Sequence, residues 1–362
     1  MPFDGAPGAF NAITDVPGVE VGHTTLQHGT DADPDAVRTG VTAILPRGRD
    51  GVGIPCAAGT FSLNGNGELT GRTWIDEAGA LTMPIALTDS HAVGAVHRGV
   101  DQWVHSTHPE VSAQWMLPVV GETWSGYLSD INGGHVRSRH AREALANARS
   151  GAVAEGSVGG GTGMNCYGFK GGAGTASRVV AAGAHRWTVG AYVQANFGSR
   201  AELRIAGVPL GARSAADCPM ENTDWFERET AQARPAPGAG SVIVIVATDA
   251  PLLPGQCAAL ARRVPLGLAR TGTTGSHFSG DIFLAFSTAN PDALSSRMGW
   301  SGELESLEVV PWGAVDPLYE AVVQSVEEAV VNALVAARDT RGRDGHVSYA
   351  LPHDEVRAAF GA

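Results

Sequence analysis

One stretch, RPAPGAGSVIVIVATDAPL at residues 234–252, constrains the fold more than any other. Its Pro- and Gly-rich half ends at Gly240, and Ser241 then stands directly before the apolar run of residues 242–246. Five consecutive β-branched residues next to a Pro/Gly-rich turn region predict a buried strand. A hydroxyl at the start of such a strand is either an ordinary turn residue or a group with a chemical task.

Size and composition indicate a globular chain of one large domain or two ordinary ones. The sequence has 362 residues, of which 43% are hydrophobic and 17% charged, enough to bury a substantial core. A net charge of −12 argues against nucleic acid or an anionic membrane as the main partner. Residues 1–18 lack the pattern of a secretory signal, and no apolar stretch is long enough to span a bilayer. We therefore expect a cytoplasmic protein with four reduced cysteines.

Strands and helices alternate along the chain. Alternating apolar residues predict a strand at residues 187–196, and apolar residues on helical spacing predict a long amphipathic helix at 317–337. This mixture favours α/β or α+β layers. Residues 207–240 are polar, rich in Pro and without a sustained period, and we interpret them as a linker.

Three common kinds of site are not supported by the sequence. The glycines GGGTG at residues 159–163 match neither a P-loop nor a dinucleotide fingerprint, so no nucleotide cofactor is expected. The twelve histidines include no HExxH and no tight cluster, so no metal is expected. A nucleophile elbow, GxSxG, is also absent from the sequence, which argues against a Ser-His-Asp hydrolase of that type.

Ser241 is the best candidate for a nucleophile. A serine hydroxyl needs a base to take its proton. A cut between Gly240 and Ser241 would create an α-amine with a reference pKa of about 7.7–8.0, close enough to serve as that base. Gly240 suits such a cut because glycine tolerates strained backbone and leaves its own carbonyl open to attack. On the motif alone, a simple turn before a strand is the competing interpretation.

Many segments taken together resemble one family. They are LNGNGELTG, PIALTDSHAVG, GETWSGYLSDINGGHV, VGGGTGMNCYGFKGGAGTASR, VQANFG, SVIVIVATDAPLLPGQC, LARTG and HFSGDIFLAFST. In this order they are similar to the DmpA-like family of self-processing aminopeptidases, which includes L-aminopeptidase/D-amino-acid esterase-amidases and β-peptidyl aminopeptidases. The similarity covers nearly the whole chain.

The resemblance implies a fold and a processing site. Members of this family form one domain, an α/β/β/α four-layer sandwich of the type shared with ornithine acetyltransferases. They cut themselves before a serine, which here places the cut at Gly240–Ser241 and gives an α chain 1–240 and a β chain 241–362. The resemblance also implies a homotetramer of processed αβ units.

The resemblance further implies site residues. Ser241 corresponds to the nucleophile, Asn196 of VQANFG to an oxyanion donor, and Tyr127 of SGYLSDING to a residue lining the substrate site. Ser279 and Asp281 of HFSGD correspond to the serine and the acidic residue of a Ser-Gly-Glu/Asp motif, with Ser279 orienting or relaying a proton. Asp281 could hold the ammonium group either of the substrate or of Ser241 itself. Asp at this position, instead of the longer Glu, would move the carboxylate and could shift specificity or rate.

These features predict a serine-type aminopeptidase or amidase-esterase without a cofactor. It would remove the N-terminal residue of short peptides, amides or esters through an acyl-enzyme, with L-, D- and β-amino acids left open as substrates. Two alternatives remain. One is an acyltransferase on the same scaffold, although ornithine acetyltransferases use a threonine where this chain has Ser241. The other is an unprocessed, non-catalytic protein.

Overall fold

Two β-sheets stacked face to face, each with helices on its outer side, form the architecture in a computed structural model of the chain. The structure describes residues 3–31, 33–233, 237–296, 298–299 and 302–361. The order of layers is helix, sheet, sheet, helix, which agrees with the four-layer sandwich expected from the sequence. No described helix is both long and apolar enough to cross a membrane.

The strands form two large sheets and two small hairpins. The six-stranded sheet has the order β4-β3-β12-β11-β10-β9 and the four-stranded sheet the order β1-β2-β5-β6, while β7 pairs with β8 and β13 with β14. The strands of the described residues are β1 Glu20–His28, β2 Val37–Leu45, β3 Cys56–Ser62, β4 Ala80–Leu81, β5 Ile85–Asp89, β6 Val119–Thr123, β7 Asn165–Cys166, β8 Phe169–Lys170, β9 Gly172–Ala182, β10 His185–Asn196, β11 Gly240–Thr248, β12 Ser279–Ser287, β13 Thr340–Arg341 and β14 Val347–Ser348.

Helices cover both outer faces. The helices α8, α9 and α10 pack on the six-stranded sheet, and α2 and α4 pack on the four-stranded sheet. The α-helices of the described residues are α1 Arg72–Ala78, α2 Val93–Thr107, α3 Pro109–Ser112, α4 Ser138–Ala146, α5 Leu210–Arg213, α6 Pro219–Asn222, α7 Trp225–Thr230, α8 Pro254–Ala261, α9 Val264–Arg270, α10 Asp316–Ala336 and α11 His353–Ala359. The long helix predicted at 317–337 is therefore confirmed as α10.

Strand β11 lies at the centre of the six-stranded sheet. It pairs antiparallel with β10 and parallel with β12, and the side chains of residues 242–246 are all fully buried. Alternate residues of β11 face different cores: Val242, Val244 and Val246 pack against the helices, whereas Ile243 and Ile245 face the other sheet. The apolar run is continuous because both faces of this strand are covered.

The two sheets approach closely where β6 crosses β11. A Cβ atom at Gly121 in β6 would lie 3.1 Å from the Ile243 side chain and 3.0 Å from that of Leu87. Glycine at this position therefore allows the end of β6 to lie against the start of β11. This close approach brings the residues after β6 to the N-terminal end of β11.

The segment predicted to be a linker has structure of its own. Of residues 207–240, the described part carries the short helices α5, α6 and α7. Its anchor is Trp225, which is 5% exposed and packs against Tyr127 and His346 with ring centroids 5.0 and 5.5 Å away. Residues 234–236 lie outside the described residues.

Candidate active site

Ser241 lies at the N-terminal end of the central strand, facing the space between the two sheets. Its side chain is 2% exposed, and its Oγ accepts a hydrogen bond from the backbone N–H of Trp124 at 3.3 Å. The residue before it must be small, because a Cβ atom at Gly240 would lie 2.0 Å from the carbonyl oxygen of Asn196.

Asn196 lies directly beside Ser241. The two residues are partners in the antiparallel ladder of β10 and β11, so their side chains share one face of the sheet. The Oδ1 atom of Asn196 accepts the backbone N–H of Asn165 at 2.8 Å. That bond fixes the amide orientation and leaves the Nδ2 donors for the cavity that Asn196 and Ser241 both line.

Ser279 and Asp281 form a pair on the opposite face of the sheet. In the parallel ladder of β11 and β12, Ser279 is the partner of Gly240 and Asp281 that of Val242, so Ser241 is bracketed by the two. Ser279 Oγ donates a hydrogen bond to Asp281 Oδ1 at 2.5 Å, and Asn64 Nδ2 donates to Asp281 Oδ2 at 2.9 Å. Burial raises the pKa of Asp281, against the opposing effect of these bonds.

The position of Ser279 and Asp281 relative to the cavity limits which groups they can contact. Neither Ser279 nor Asp281 lines the cavity, whereas both lie next to the Gly240–Ser241 peptide. Asp281 therefore lies beside the backbone that carries the Ser241 nitrogen and is not among the residues lining the cavity. A Cβ atom at Gly280 would lie 2.4 Å from the Asn66 carbonyl, so the glycine between Ser279 and Asp281 lets the 63–67 loop cover this edge.

The cavity in front of Ser241 has a volume of about 430 Å³. Its lining combines apolar and aromatic side chains, those of Trp124, Met220, Trp225, Phe226 and Phe278, with the polar side chains of Asn66, Ser90, Glu122, Asn165, Asn196 and Glu221. A pocket with an apolar wall and a few converging polar groups is the usual form of a small-molecule site.

Glu122 is a buried carboxylate without a cationic partner among the described residues. It is 6% exposed, its Oε1 accepts the backbone N–H of Glu68 at 2.9 Å, and its Oε2 accepts the hydroxyl of Ser90. Burial raises its pKa, and the nearby carboxylate of Asp89 raises it further. A buried carboxylate that lines a cavity and has no cationic partner in the protein is suited to bind a cationic group of the ligand.

Tyr127, predicted to line the substrate site, is not among the residues that line this cavity. It is 1% exposed, its hydroxyl donates to the Val347 carbonyl at 3.2 Å, and its ring stacks on His346 with centroids 4.6 Å apart. Its edge contact with Trp225 places it one layer behind the aromatic wall. Tyr127 supports that wall, with its hydroxyl satisfied inside the protein.

Sequence reasoning missed several cavity residues. Glu122 lies in GETW, one of the segments that carry the family resemblance, but nothing in a single sequence shows that its carboxylate is unpaired. Trp225 and Phe226 lie in the segment interpreted as a linker. An aromatic pair inside an otherwise polar, Pro-rich segment is the signal that could have found them. Within the described residues, no three His, Cys, Asp or Glu side chains are grouped to hold a metal ion.

Comparisons with known proteins show the family of the chain. The family model of peptidase family S58 matches residues 11–348. The chain belongs to peptidase family S58. It is 46% identical to β-peptidyl aminopeptidase BapA of Sphingosinicella microcystinivorans over 99% of this chain and 89% of that protein.

Solved structures give the same result for the fold. The β-aminopeptidase of a Burkholderia species superposes with a TM-score of 0.90 at 45% identity, covering 100% of this chain and 96% of that one. The L-aminopeptidase D-Ala-esterase/amidase of Ochrobactrum anthropi, a variant of the Ntn hydrolase fold, does so with a TM-score of 0.90 at 42% identity and the same coverage. The predicted fold and the predicted class, a serine aminopeptidase with an N-terminal nucleophile, are thus confirmed. The acyltransferase and the non-catalytic alternatives are not favoured.

Proposed function

We propose that the protein cuts itself between Gly240 and Ser241 and that Ser241 then hydrolyses the N-terminal residue from short peptides, amides or esters. One observation carries the proposal. The Ser241 hydroxyl, the free donors of the Asn196 amide and the unpaired Glu122 carboxylate open into one cavity. These three groups are a nucleophile, an oxyanion donor and a site for an ammonium group.

The α-amine of the freed Ser241 is the general base in this proposal. It takes the proton of its own hydroxyl as Oγ attacks the substrate carbonyl, and it returns that proton to the departing amine or alcohol. Ser279 and Asp281 flank this position from the neighbouring strand. With its own proton donated to Asp281, the Ser279 oxygen is free to accept a hydrogen bond from the amine and orient its lone pair toward Oγ.

Asn196 stabilises the negative charge that develops on the carbonyl oxygen. Its Nδ2 donors are fixed in advance by the bond from Asn165, and such preorganised donors supply a large share of catalysis in acyl transfer. Collapse of the tetrahedral intermediate leaves an acyl-enzyme on Ser241. Water, activated by the same amine, then releases the acid.

Glu122 restricts the enzyme to N-terminal residues. Its Cα lies two residues before that of Trp124, whose N–H contacts Ser241 Oγ, so the two Cα atoms are about 7 Å apart along the chain. A substrate whose ammonium group binds Glu122 therefore presents its first carbonyl to Ser241. The two relatives named as β-aminopeptidases support acceptance of N-terminal β-amino acids as well.

Assembly and location are further parts of the proposal. We propose that the processed αβ units associate as homotetramers, as the family resemblance implies. Exposed apolar side chains of Met298, Leu304 and Trp312, in one segment after β12, support a surface that is covered in an oligomer. Four free, buried cysteines support a reducing, cytoplasmic location.

Mass spectrometry of the denatured protein tests self-cleavage. We expect chains of about 25 and 12 kDa, in proportion to 240 and 122 of the 362 residues in 37.3 kDa, the smaller beginning at Ser241. Ser241→Ala should give one chain of 37.3 kDa and no turnover of aminoacyl p-nitroanilides. Ser125→Ala is the matched control, because its buried hydroxyl has no hydrogen-bond partner among the described residues. Cleavage or turnover by Ser241→Ala contradicts the proposal.

A further inference from the structure

Lys170 is a buried cation that the proposed mechanism does not use. Its side chain is completely buried at the end of β8, and no described carboxylate forms an ion pair with it. Burial lowers its pKa to about 7. An unpaired ammonium group in a protein interior is costly, and a methionine would fill a similar volume without that cost.

Three backbone carbonyls surround the ammonium group. Lys170 Nζ donates to the carbonyl oxygen of Met164 at 2.8 Å, to that of Gly171 at 2.9 Å and, more weakly, to that of Gly161 at 3.4 Å. These three oxygens belong to the loop and hairpin of residues 161–171. All three bonds favour the charged form of the lysine.

One of these carbonyls belongs to the peptide group that orients the oxyanion donor. The Met164 carbonyl accepts from Lys170, and the N–H of the same planar peptide, on Asn165, donates to Asn196 Oδ1 at 2.8 Å. Asn165 and Lys170 are also direct partners in the β7–β8 hairpin. The ammonium group, the peptide and the Asn196 amide therefore form one hydrogen-bonded chain that ends at the cavity.

We propose that Lys170 is a positioning residue for the oxyanion donor, acting through the Met164–Asn165 peptide on the side-chain amide of Asn196. This inference rests on the proposed function. The ammonium group fixes the plane of the peptide and draws electron density toward the Met164 oxygen. The Asn165 N–H and, beyond it, the Asn196 Nδ2 donors become stronger, because hydrogen bonds in a chain polarise one another.

The first test is the kinetics of Lys170→Met on an aminoacyl p-nitroanilide. Loss of one oxyanion donor lowers kcat about 100- to 1000-fold, so a misplaced and less polarised donor should lower it about 10-fold. KM should change less than twofold, because the oxyanion exists only after attack. Arg178→Met is the matched control: Arg178 is another buried cation, paired with Glu328 and outside this hydrogen-bonded chain, and its loss should leave kcat unchanged.

A double-mutant cycle separates positioning from general loss of stability. In an Asn196→Ala background, Lys170→Met should lower kcat no further, because the group through which it acts is gone. Equal losses in both backgrounds, or a loss expressed only in KM, would overturn the inference. Normal self-cleavage and kcat in Lys170→Met would do so as well.

A second variant covers the case in which Lys170→Met does not fold. Lys170→Gln keeps N–H donors but removes the charge, so its kcat should lie between those of the wild type and of Asn196→Ala. A wild-type kcat in folded Lys170→Gln would show that the charge has no effect. Failure of the proposed function itself is distinguishable, since the wild-type protein would then turn over no anilide and Ser241→Ala would change nothing.

Discussion

At the scale of single residues, Glu122 links substrate binding to stability. In Glu122→Gln the side chain keeps its shape and loses its charge, so KM for aminoacyl anilides should rise about 10- to 100-fold, the loss expected for a charge-assisted hydrogen bond. The same change should stabilise the protein at neutral pH. Burial raises the pKa of Glu122 in the folded state, so its ionisation disfavours folding as pH rises above the unfolded value of about 4.3.

Steady-state kinetics and thermal melting together check this prediction. The melting temperature of Glu122→Gln should exceed that of the wild type at pH 7–8, by about 2 °C if about 1 kcal/mol is involved, and the difference should vanish below about pH 4. Glu221→Gln is the control, because Glu221 also lines the cavity but, unlike Glu122, interacts with the charge of a nearby arginine, Arg200. An unchanged KM in Glu122→Gln would remove the ammonium site from the proposal.

The sequence predicted the identity of the candidate catalytic residues better than it predicted their positions in the site. The motif at Ser241 left a simple turn as the competing interpretation, and only the family motifs pointed to Ser241, Asn196, Ser279 and Asp281 together. Which face of the sheet each side chain occupies depends on strand register, and therefore on pairings between segments far apart in the chain. For that reason the sequence left two roles open for Asp281.

At the scale of elements, α6 and α7 show why the segment 207–240 was interpreted as a linker. Helices of four and six residues are too short to show a period or to be stable alone. Tertiary contacts hold α7 instead: Trp225 packs on Tyr127, and Glu229 pairs with Arg343 and His346. The long helix α10 shows its helical period within its own sequence, and β11 is a continuous run of β-branched residues, so both elements could be predicted.

This anchored segment sets the width of the substrate cavity. Trp225→Ala should remove part of the aromatic wall and shift relative kcat/KM toward bulky N-terminal residues about 10-fold or more. It should also destabilise the protein by about 3–5 kcal/mol, the usual cost of truncating a buried tryptophan. A panel of alanyl, leucyl and phenylalanyl anilides with a melting curve measures both effects.

Trp187 offers a matched control for that experiment. It lies on β10, stacks on His185 with centroids 5.3 Å apart and does not line the cavity, so Trp187→Ala should leave the substrate ranking unchanged. An unchanged ranking in Trp225→Ala as well would show that α7 covers the cavity without shaping it.

At the scale of the whole molecule, the proposed cut passes through the centre of a shared sheet. All of β11 except Gly240, and the whole of β12, follow the cut, and these strands lie between β10 on one side and β3 on the other, both of which precede the cut. The helix α10 also follows the cut and packs on β9 and β10. Neither chain has a complete core of its own, because the inter-sheet core takes side chains from both.

We therefore expect the two chains to remain associated after cleavage and to separate only when the fold is lost. Size-exclusion chromatography of the cleaved protein should give one peak containing both chains, identical in position to that of uncut Ser241→Ala, and only denaturant should release the smaller chain. Residues 241–362 expressed alone should be insoluble or unfolded, since β11 would expose the edge that β10 covers and β12 the edge that β3 covers. A soluble, folded chain 241–362 would mean that the sheet is built from two independent halves, which its central strand pairings do not permit.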